Sequence, residues 1–394
     1  MTKPFTSNDF AAVVTVELRE VTTLAGIDEL RDDWEALERR HRGELAYFQT
    51  FDWCRNWVAS ISGSLPGVTP RIICVWKASR LIALIPAMVS CVAGGVRMLK
   101  PLGEPHTQYG GMLTDPTGFC PESMRLLTEF FRKPDGCDAV AFDLVPVHSP
   151  LVAIMPGKAR VTGYHNQSSS LDLSQFASAD AFLDGNGDKR SRKRVKRRNR
   201  LEKQAGELTF RVVWPGSDEF PALVHACVAM KRRWLAETGR ISRGFAIEGY
   251  DRFLASLTGD EQSREGAVAF VLEAAGQPVA IEVSMIRNRH LYAYIGGFDW
   301  DLNKLSPGKV QMEATVCWCI ENGIRAYDLL GNAAAYKDDW SNLTCELQAF
   351  SRAYTLRGWL YGRAWLNHIR PQLKVLFENL PAGVRQLAAS PRLQ

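Results

Sequence analysis

The second half of the chain carries the clearest alternation of apolar and polar positions. Leu208 to Val213 alternate with the period of a strand that buries one face. Phe220, Leu223, Val224, Cys227, Lys231 and Trp234 then recur at three- and four-residue steps, which predicts an amphipathic helix, and a second helix is predicted over Tyr250 to Leu257. Two strand-like runs follow, Ala267 to Glu273 and Val279 to Ile286, joined by Ala275-Gly276-Gln277-Pro278, whose Gly and Pro suit a tight turn. A third strand, His290 to Phe298, comes after a polar turn around Asn288. Ser306-Pro307-Gly308 opens a helix, with Ser as N-cap and Pro at the first helical position, where its missing N–H costs nothing. Val310, Ala314, Cys317 and Trp318 form the expected buried stripe of that helix. Gly323 ends it, Ala326 to Leu330 reads as a buried strand, and Gly331-Asn332 leads into a short segment ending Ala335-Tyr336-Lys337.

The first half has a similar rhythm. A strand over Val13 to Val21, helices over Ile27 to Arg40 and around Phe51 to Ser60, strands Arg71 to Lys77 and Leu81 to Val92, and a helix over Glu122 to Arg132 read as a degenerate copy of the same order. It lacks a counterpart of the Ser-Pro-Gly helix start. Its loop Gly103 to Gly111 carries His106 and Tyr109 and could face a substrate, although a lone loop histidine more often does no chemistry.

Between the halves lies Lys189 to Lys203, with ten Lys/Arg and one Glu. This one segment accounts for the chain's net charge of +5, since the remainder is net acidic. Its charges point to all sides of any helix, with Val195 and Leu201 as apolar contacts, so it reads as a linker helix or exposed arm. Such an arm either clamps the phosphates of a cofactor, nucleic acid or lipid surface, or is simply solvated; no aromatic residues are interleaved for base stacking. A length of 394 residues exceeds one ordinary core, and 46% apolar residues can fill two. The polar start and the lack of a long apolar run predict a cytoplasmic chain without a transmembrane segment. Nine scattered cysteines fit no zinc spacing, so reduced thiols and no metal are expected.

Strand alternation places Glu282 and Ser284 on one sheet face and Val279, Ile281, Val283 and Met285 on the other. With the turn centred on Asn288, Glu282 lies across from Tyr294 and Ser284 from Tyr292, so that a carboxylate and two phenols share a face. The helix start at Ser306, with Gly308 permitting close approach and Lys309 adding charge, is a candidate seat for a pyrophosphate.

This order of elements, together with Tyr294-Ile295-Gly296-Gly297-Phe298-Asp299, Leu305-Ser306-Pro307-Gly308, Tyr327-Asp328-Leu329-Leu330-Gly331-Asn332 and Tyr336-Lys337-Asp338-Asp339-Trp340, resembles the GNAT superfamily. Within it the chain is similar to the CelD-type acetyltransferases associated with bacterial cellulose synthesis, which are related to FemAB peptidyltransferases. The resemblance covers roughly residues 170 to 350. It implies an α/β fold (α+β mixed sheets) with two GNAT-like, acyl-CoA N-acyltransferase domains in tandem. The domains are a degenerate one at 1–183, a basic linker helix at 184–206, a catalytic one at 207–352 and an amphipathic tail at 353–394.

The implied activity is transfer of an acetyl or other acyl group from a coenzyme A thioester to an amine or hydroxyl, on a small-molecule or saccharide acceptor in exopolysaccharide or cellulose synthesis. In such enzymes the strand matching His290 to Phe298 splays from its neighbour and its backbone, here including Tyr294 and Gly296, pairs with the pantetheine arm. Ser306, Gly308 and Lys309 would hold the pyrophosphate, and Asn332 and Lys337 would meet the cofactor. Tyr336 would protonate the leaving thiolate. Glu282 is the first candidate base and Asp328 the second, since acyl transfer needs a proton acceptor. The family's usual Gln/Arg-x-x-Gly-x-Gly/Ala loop is replaced by Asn303-Lys304-Leu305-Ser306-Pro307-Gly308. FemAB relatives use aminoacyl-tRNA as donor, a partner that Lys189 to Lys203 could grip; a non-catalytic binding protein is the third reading.

Overall fold

A computed structural model of the chain describes residues 15–155, 167–184, 187–331, 337, 340–362 and 372, with the backbone alone for 187–191. The strands are β1 (Val16–Val21), β2 (Val68–Lys77), β3 (Arg80–Val92), β4 (Val96–Pro101), β5 (Leu113–Thr114), β6 (Ala139–Pro146), β7 (Gln167–Asp172), β8 (Leu208–Val213), β9 (Gly259–Asp260), β10 (Glu265–Ala274), β11 (Gln277–Arg287), β12 (His290–Phe298), β13 (Ala326–Asp328) and β14 (Leu343–Ala353). The helices are α1 (Leu24–Glu29), α2 (Arg31–Arg40), α3 (Phe51–Ser60), α4 (Pro121–Arg132), α5 (Ala179–Asp184), α6 (Gly187–Ala205), α7 (Phe220–Glu237), α8 (Arg243–Ala246), α9 (Tyr250–Ala255), α10 (Pro307–Glu321) and α11 (Leu356–Leu360).

One mixed sheet runs through the molecule in the order β1-β2-β3-β4-β6-β14-β7-β13-β12-β11-β10-β8, with β5 and β9 paired to β3 and β10 off this path. This is the mixed α/β architecture expected from the sequence. The strand order does not follow the chain: β7 lies between β13 and β14, whereas Leu347–Ala353 of β14 pair with β6. Each half of the sheet therefore contains a segment from the opposite side of the basic helix.

Within each half, one parallel pair is short. In the second half β12 and β13 pair only at His290↔Ala326, Leu291↔Tyr327 and Tyr292↔Asp328. In the first half β4 and β6 pair only at Met98↔Ala139 and Leu99↔Val140. Among the described residues nothing pairs with Ala293–Phe298 on the β13 side, so that edge is open. The corresponding opening in the first half is closed by the chain itself, because the Gly110 N–H donates to the Leu144 carbonyl at 3.0 Å. A Cβ at Gly110 would stand 3.0 Å from the Asp143 carbonyl, so any larger residue would have to push the backbone there aside.

The two sheet faces have separate cores. On one, α7, α9 and the aromatic residues of α3 enclose Ile281, Val283, Met285, Tyr292 and Ile295. On the other, α10 and α5 cover Phe270, Ile286, Leu291 and Tyr327. The stripe expected for α10 is rotated. Gln311, Met312, Thr315, Val316 and Cys319 are buried, while Ala314, Cys317 and Trp318 are only partly so. The cause is the pair of buried polar residues Gln311 and Thr315: Gln311 donates to a carboxyl group on the sheet and to Thr315 Oγ1.

The basic helix α6 is no free arm. Leu201 is fully buried with Val310, Leu305 and Leu208 around it, and Arg194 pairs with Glu313 of α10 at 3.4 Å. Val195, expected as a contact, is 55% exposed. The inward stripe is Arg194, Arg197, Leu201 and Ala205, at three- and four-residue steps. Beyond β14, Leu356, Trp359 and Leu360 of α11 are exposed; the rest of the predicted tail lies outside the described residues. No described helix is long and apolar enough to cross a membrane.

Candidate active site

The expected face for Glu282 is corrected by the turn and by a bulge. Asn288 and Arg289 both have positive φ, giving a two-residue turn in which Arg287 pairs with His290. The register then shifts between Val283 and Met285, so Glu282 faces Gly296 and Met285 faces Tyr292. Turning on two residues rather than one moves every partner by one position, and a one-position slip exchanges the faces. Tyr292 and Tyr294 consequently lie against Phe48, on the face away from Glu282.

Glu282 is enclosed between the sheet and α10. Its carboxyl accepts from Ser284 Oγ at 2.8 Å, Tyr327 Oη at 2.7 Å and Gln311 Nε2 at 3.4 Å. Burial raises its pKa, and these three donors oppose the rise. With its acceptor sites occupied, Glu282 ties β11, β13 and α10 together and is removed from the open edge of β12.

Asp328 occupies a different position. It is the last paired residue of β13, where the strands part, and is 1% exposed. Tyr109 Oη donates to it at 2.8 and 3.0 Å, the Leu330 N–H at 2.7 Å, and His290 Nε2 lies 3.1 Å away. Burial, then the Asp328 charge, holds the Tyr109 phenol well above its ordinary pKa. The sequence assigned His290 no role and named Tyr109 only within a loop that could face a substrate. Tyr109 reaches the site from the loop that closes the opening of the first half, a long-range delivery that no local pattern encodes. The other loop residue, His106, is structural: Trp57 Nε1–H donates to its Nδ1 at 3.0 Å and its Nε2 meets the Gly244 carbonyl at 3.0 Å. Burial lowers its pKa to about 4.

Lys337 is likewise turned inward. Its Nζ donates to the carbonyls of Leu330 at 3.1 Å and Gly331 at 2.7 Å, bracing the segment after β13, so it is not free to meet a ligand. Burial lowers its pKa to about 8, while Asp328 pulls the other way. Asn332 and Tyr336 lie outside the described residues.

The open edge and the start of α10 are adjacent. Phe298, at the end of β12, is in reach of Gly308, where an added Cβ would stand 3.4 Å from its ring. Gly296, two residues back on the same strand, is exposed, and a Cβ there would meet nothing within 4 Å. Tyr294 has its hydroxyl donated to the His106 carbonyl at 3.0 Å, so its backbone, not its phenol, is available to a ligand. Ser306 does not act as a side-chain cap: it adopts a left-handed conformation, φ +57, and makes no capping bond. Pro307 after it starts the helix, Lys309 is exposed, and the cationic helix α6 packs beside this end. An anion placed there meets the positive end of the helix dipole and the side chains of α6.

Residues 189–338 match the family described as acetyltransferase (GNAT) domain. No curated protein matches the chain by sequence. Among solved structures the chain is similar in fold to FemX, at 14% identity over 88% of this chain and 99% of that one, with a TM-score of 0.57. It is also similar to the C-terminal domain (DUF2156) of a putative lysylphosphatidylglycerol synthetase from Agrobacterium fabrum. That match has 14% identity over 82% of this chain and 91% of the other, with a TM-score of 0.52. The parting of β12 from β13 and the start of α10 both fall within the residues that match the GNAT acetyltransferase domain.

Proposed function

We propose that the chain is an acyltransferase that moves an acetyl or longer acyl group from a coenzyme A thioester to an amine or hydroxyl. The observation that carries this is the parting of β12 from β13 after three residue pairs, beside the N-terminus of α10. A diphosphate at the helix start would leave its pantetheine arm to run back along the free backbone of Ala293–Phe298. That edge is about 17 Å long at about 3.4 Å per residue, and it ends at the strand irregularity beside Tyr292 and Asp328. The thioester carbonyl would then lie where β12 offers backbone groups that no strand uses, and hydrogen bonds to the developing oxyanion are the largest catalytic term in such reactions. Tyr336 is the proposed proton donor to the departing thiolate. The acceptor is proposed to be a saccharide amine or hydroxyl of exopolysaccharide or cellulose synthesis, on the likeness in sequence motifs alone.

A second reading, transfer from aminoacyl-tRNA, is favoured by one observation: Arg192, Lys193, Lys196, Arg198, Arg200 and Lys203 are all exposed along α6. This row is longer than one pyrophosphate needs. The test is a comparison of melting temperature with acetyl-CoA, longer acyl-CoAs and charged tRNA, followed by free-thiol release with a panel of amino sugars, sugars and simple amines. Stabilisation by an acyl-CoA and acceptor-dependent thiol release support the first reading; steeply salt-dependent tRNA binding without response to any acyl-CoA replaces it with the second.

A further inference from the structure

Four polar side chains from both halves of the chain meet below the point where β12 and β13 separate. Asp328 has its two oxygens occupied by Tyr109 Oη, the Leu330 N–H and His290 Nε2. The His290 ring lies 4.6 Å from that of Tyr292, centroid to centroid. Asp328, Tyr109 and Tyr292 are closed off from solvent at 1%, 0% and 1% exposure, whereas the His290 side chain is 20% exposed. The cluster therefore has one outlet, and it is an imidazole.

A carboxylate facing one ring nitrogen of a histidine selects the tautomer with the proton on that nitrogen. Here Nε2–H donates to Asp328 and the lone pair is left on Nδ1. The same carboxylate stabilises the imidazolium that forms when Nδ1 takes a proton, the relation of acid to base in hydrolytic triads. We propose that His290 is the proton acceptor of the transfer reaction, and that Asp328 and Tyr109 are its positioning residues. This rests on the acyl-transfer reading and supplies the base that Glu282, enclosed on the opposite face, does not.

The step balances as follows. The acceptor's nitrogen or oxygen lone pair forms the bond to the thioester carbonyl carbon, and the C–S bond breaks with its electron pair on sulfur. The proton lost by the acceptor passes to His290 Nδ1 and from there to solvent, while the thiolate takes a proton drawn from solvent and leaves as the free thiol, so that no net proton is gained or lost. The surrounding charges are of both signs. Asp328 on β13 faces the ring, Arg287 on β11, the strand partner of His290, pairs with Glu38 on α2 at 3.0 Å, and Lys337 Nζ donates to the Leu330 carbonyl. Cys345 also lies within electrostatic range of Asp328, and the phenols of Tyr109 and Tyr292 stay protonated through burial.

Two measurements on the full chain test this. Nitrogen-15 NMR of the imidazoles, without any ligand, reads tautomer and titration midpoint directly. The neutral His290 is expected as Nε2–H, a preference that should be lost in Asp328→Asn and kept in Tyr109→Phe. His290→Gln is then expected to keep its fold by melting temperature and its affinity for acetyl-CoA. Its acceptor-dependent thiol release should fall by about 10²–10⁴-fold, and the alkaline rise in rate should be lost. An Nδ1–H tautomer, a tautomer indifferent to Asp328→Asn, or a His290→Gln variant with the wild-type pH profile overturns the assignment. A wild-type chain that binds acetyl-CoA while His290→Gln turns over normally sinks the base and spares the acyl-transfer reading. Absence of acyl-CoA binding sinks that reading and the assignment's role with it, whatever the tautomer.

Discussion

Gly296 and Gly297 are neighbours on β12, and a single methyl group should have opposite consequences at the two. At Gly297 a Cβ would stand 2.5 Å from the Cys227 carbonyl oxygen and 2.9 Å from Met230 Cβ, both on α7. A helix carbonyl cannot swing aside, so Gly297→Ala has to lift α7 from the sheet. The helix also buries Phe220, Leu223, Val224 and Val228, so the shift is felt through the core. Overpacking of this kind costs about 1–3 kcal/mol, a fall in melting temperature of at most about 2–4 °C per kcal/mol for a chain of this size. At Gly296 an added Cβ meets nothing within 4 Å and the backbone is outside the left-handed region. Gly296→Ala should be neutral or stabilising by up to about 1 kcal/mol, because it restricts the unfolded chain. The larger Gly296→Leu should melt like the wild type while filling the space beside Phe298 and Gly308. If the donor arm lies along that edge, its Kd for acetyl-CoA rises at least about tenfold, roughly 1.4 kcal/mol. Thermal melts and calorimetric titration with acetyl-CoA read both effects. Unchanged acetyl-CoA affinity in Gly296→Leu would falsify the placement of the donor, and an undisturbed Gly297→Ala would refute the packing argument.

His106 and Lys337 give pH-dependent predictions. The folded-state pKa of His106 is lowered to about 4 by burial; between that value and about 6.5 the unfolded chain binds a proton that the folded chain does not, so stability falls as pH falls. The loss from pH 7 to 5 should be about 2 kcal/mol for this residue, and urea melts of His106→Gln should show a weaker dependence from a lower starting stability. Asp52 acts in the opposite sense, since burial raises its carboxyl to about 6, so the comparison is sharpest in an Asp52→Asn background. Lys337→Met removes the donor to Leu330 and Gly331 and should cost about 1–3 kcal/mol at neutral pH. Because the amine's pKa is lowered to about 8, the wild type should gain stability over this variant as pH rises from 8 towards 10; a parallel pH dependence would contradict the burial of that amine.

What the sequence conveyed was local. The positions of the strands and helices from Leu208 to Asp328 follow their hydrophobic periods, although the buried stripe of α10 does not, and the glycine at 323 ends α10 with φ +71 as its position suggests. Facing was lost where one residue decides it. The two-residue turn at Asn288 and Arg289 and the following shift in register exchanged the partners of Glu282, and no amphipathic pattern records a bulge. Gln311 and Thr315 were left out of the expected buried stripe because they are polar, but Gln311 meets a carboxyl group on a distant strand and Thr315 meets Gln311. Asp328 stood out from its place at the end of a buried strand. Its contacts with His290 and with Tyr109, a residue noted only for its loop, were hidden, since these lie 38 and 219 residues away and meet it only through the strand pairing and through the loop that fills the first half's opening.

That loop and the exchanged strands make the two halves interdependent. Without Leu347–Ala353, the edge of β6 that faces β14 would be exposed, with Phe142 and Val145 at a bare sheet margin. Without β7, β13 would lose the partner it holds from Ala326 to Asp328, and β14 the one it holds from Leu343 to Glu346. An unpaired, apolar sheet edge favours association with other chains. Fragments 1–186 and 187–394, produced separately, should therefore aggregate or melt without cooperativity. Produced together, they should associate into one species that restores the Tyr109 to Asp328 contact and melts near the intact chain. The measurement is size exclusion followed by circular dichroism melts of each fragment and of the pair. A second-half fragment that is monomeric alone, melts cooperatively and binds acetyl-CoA as tightly as the whole would show that the first half contributes neither structure nor positioning to the site.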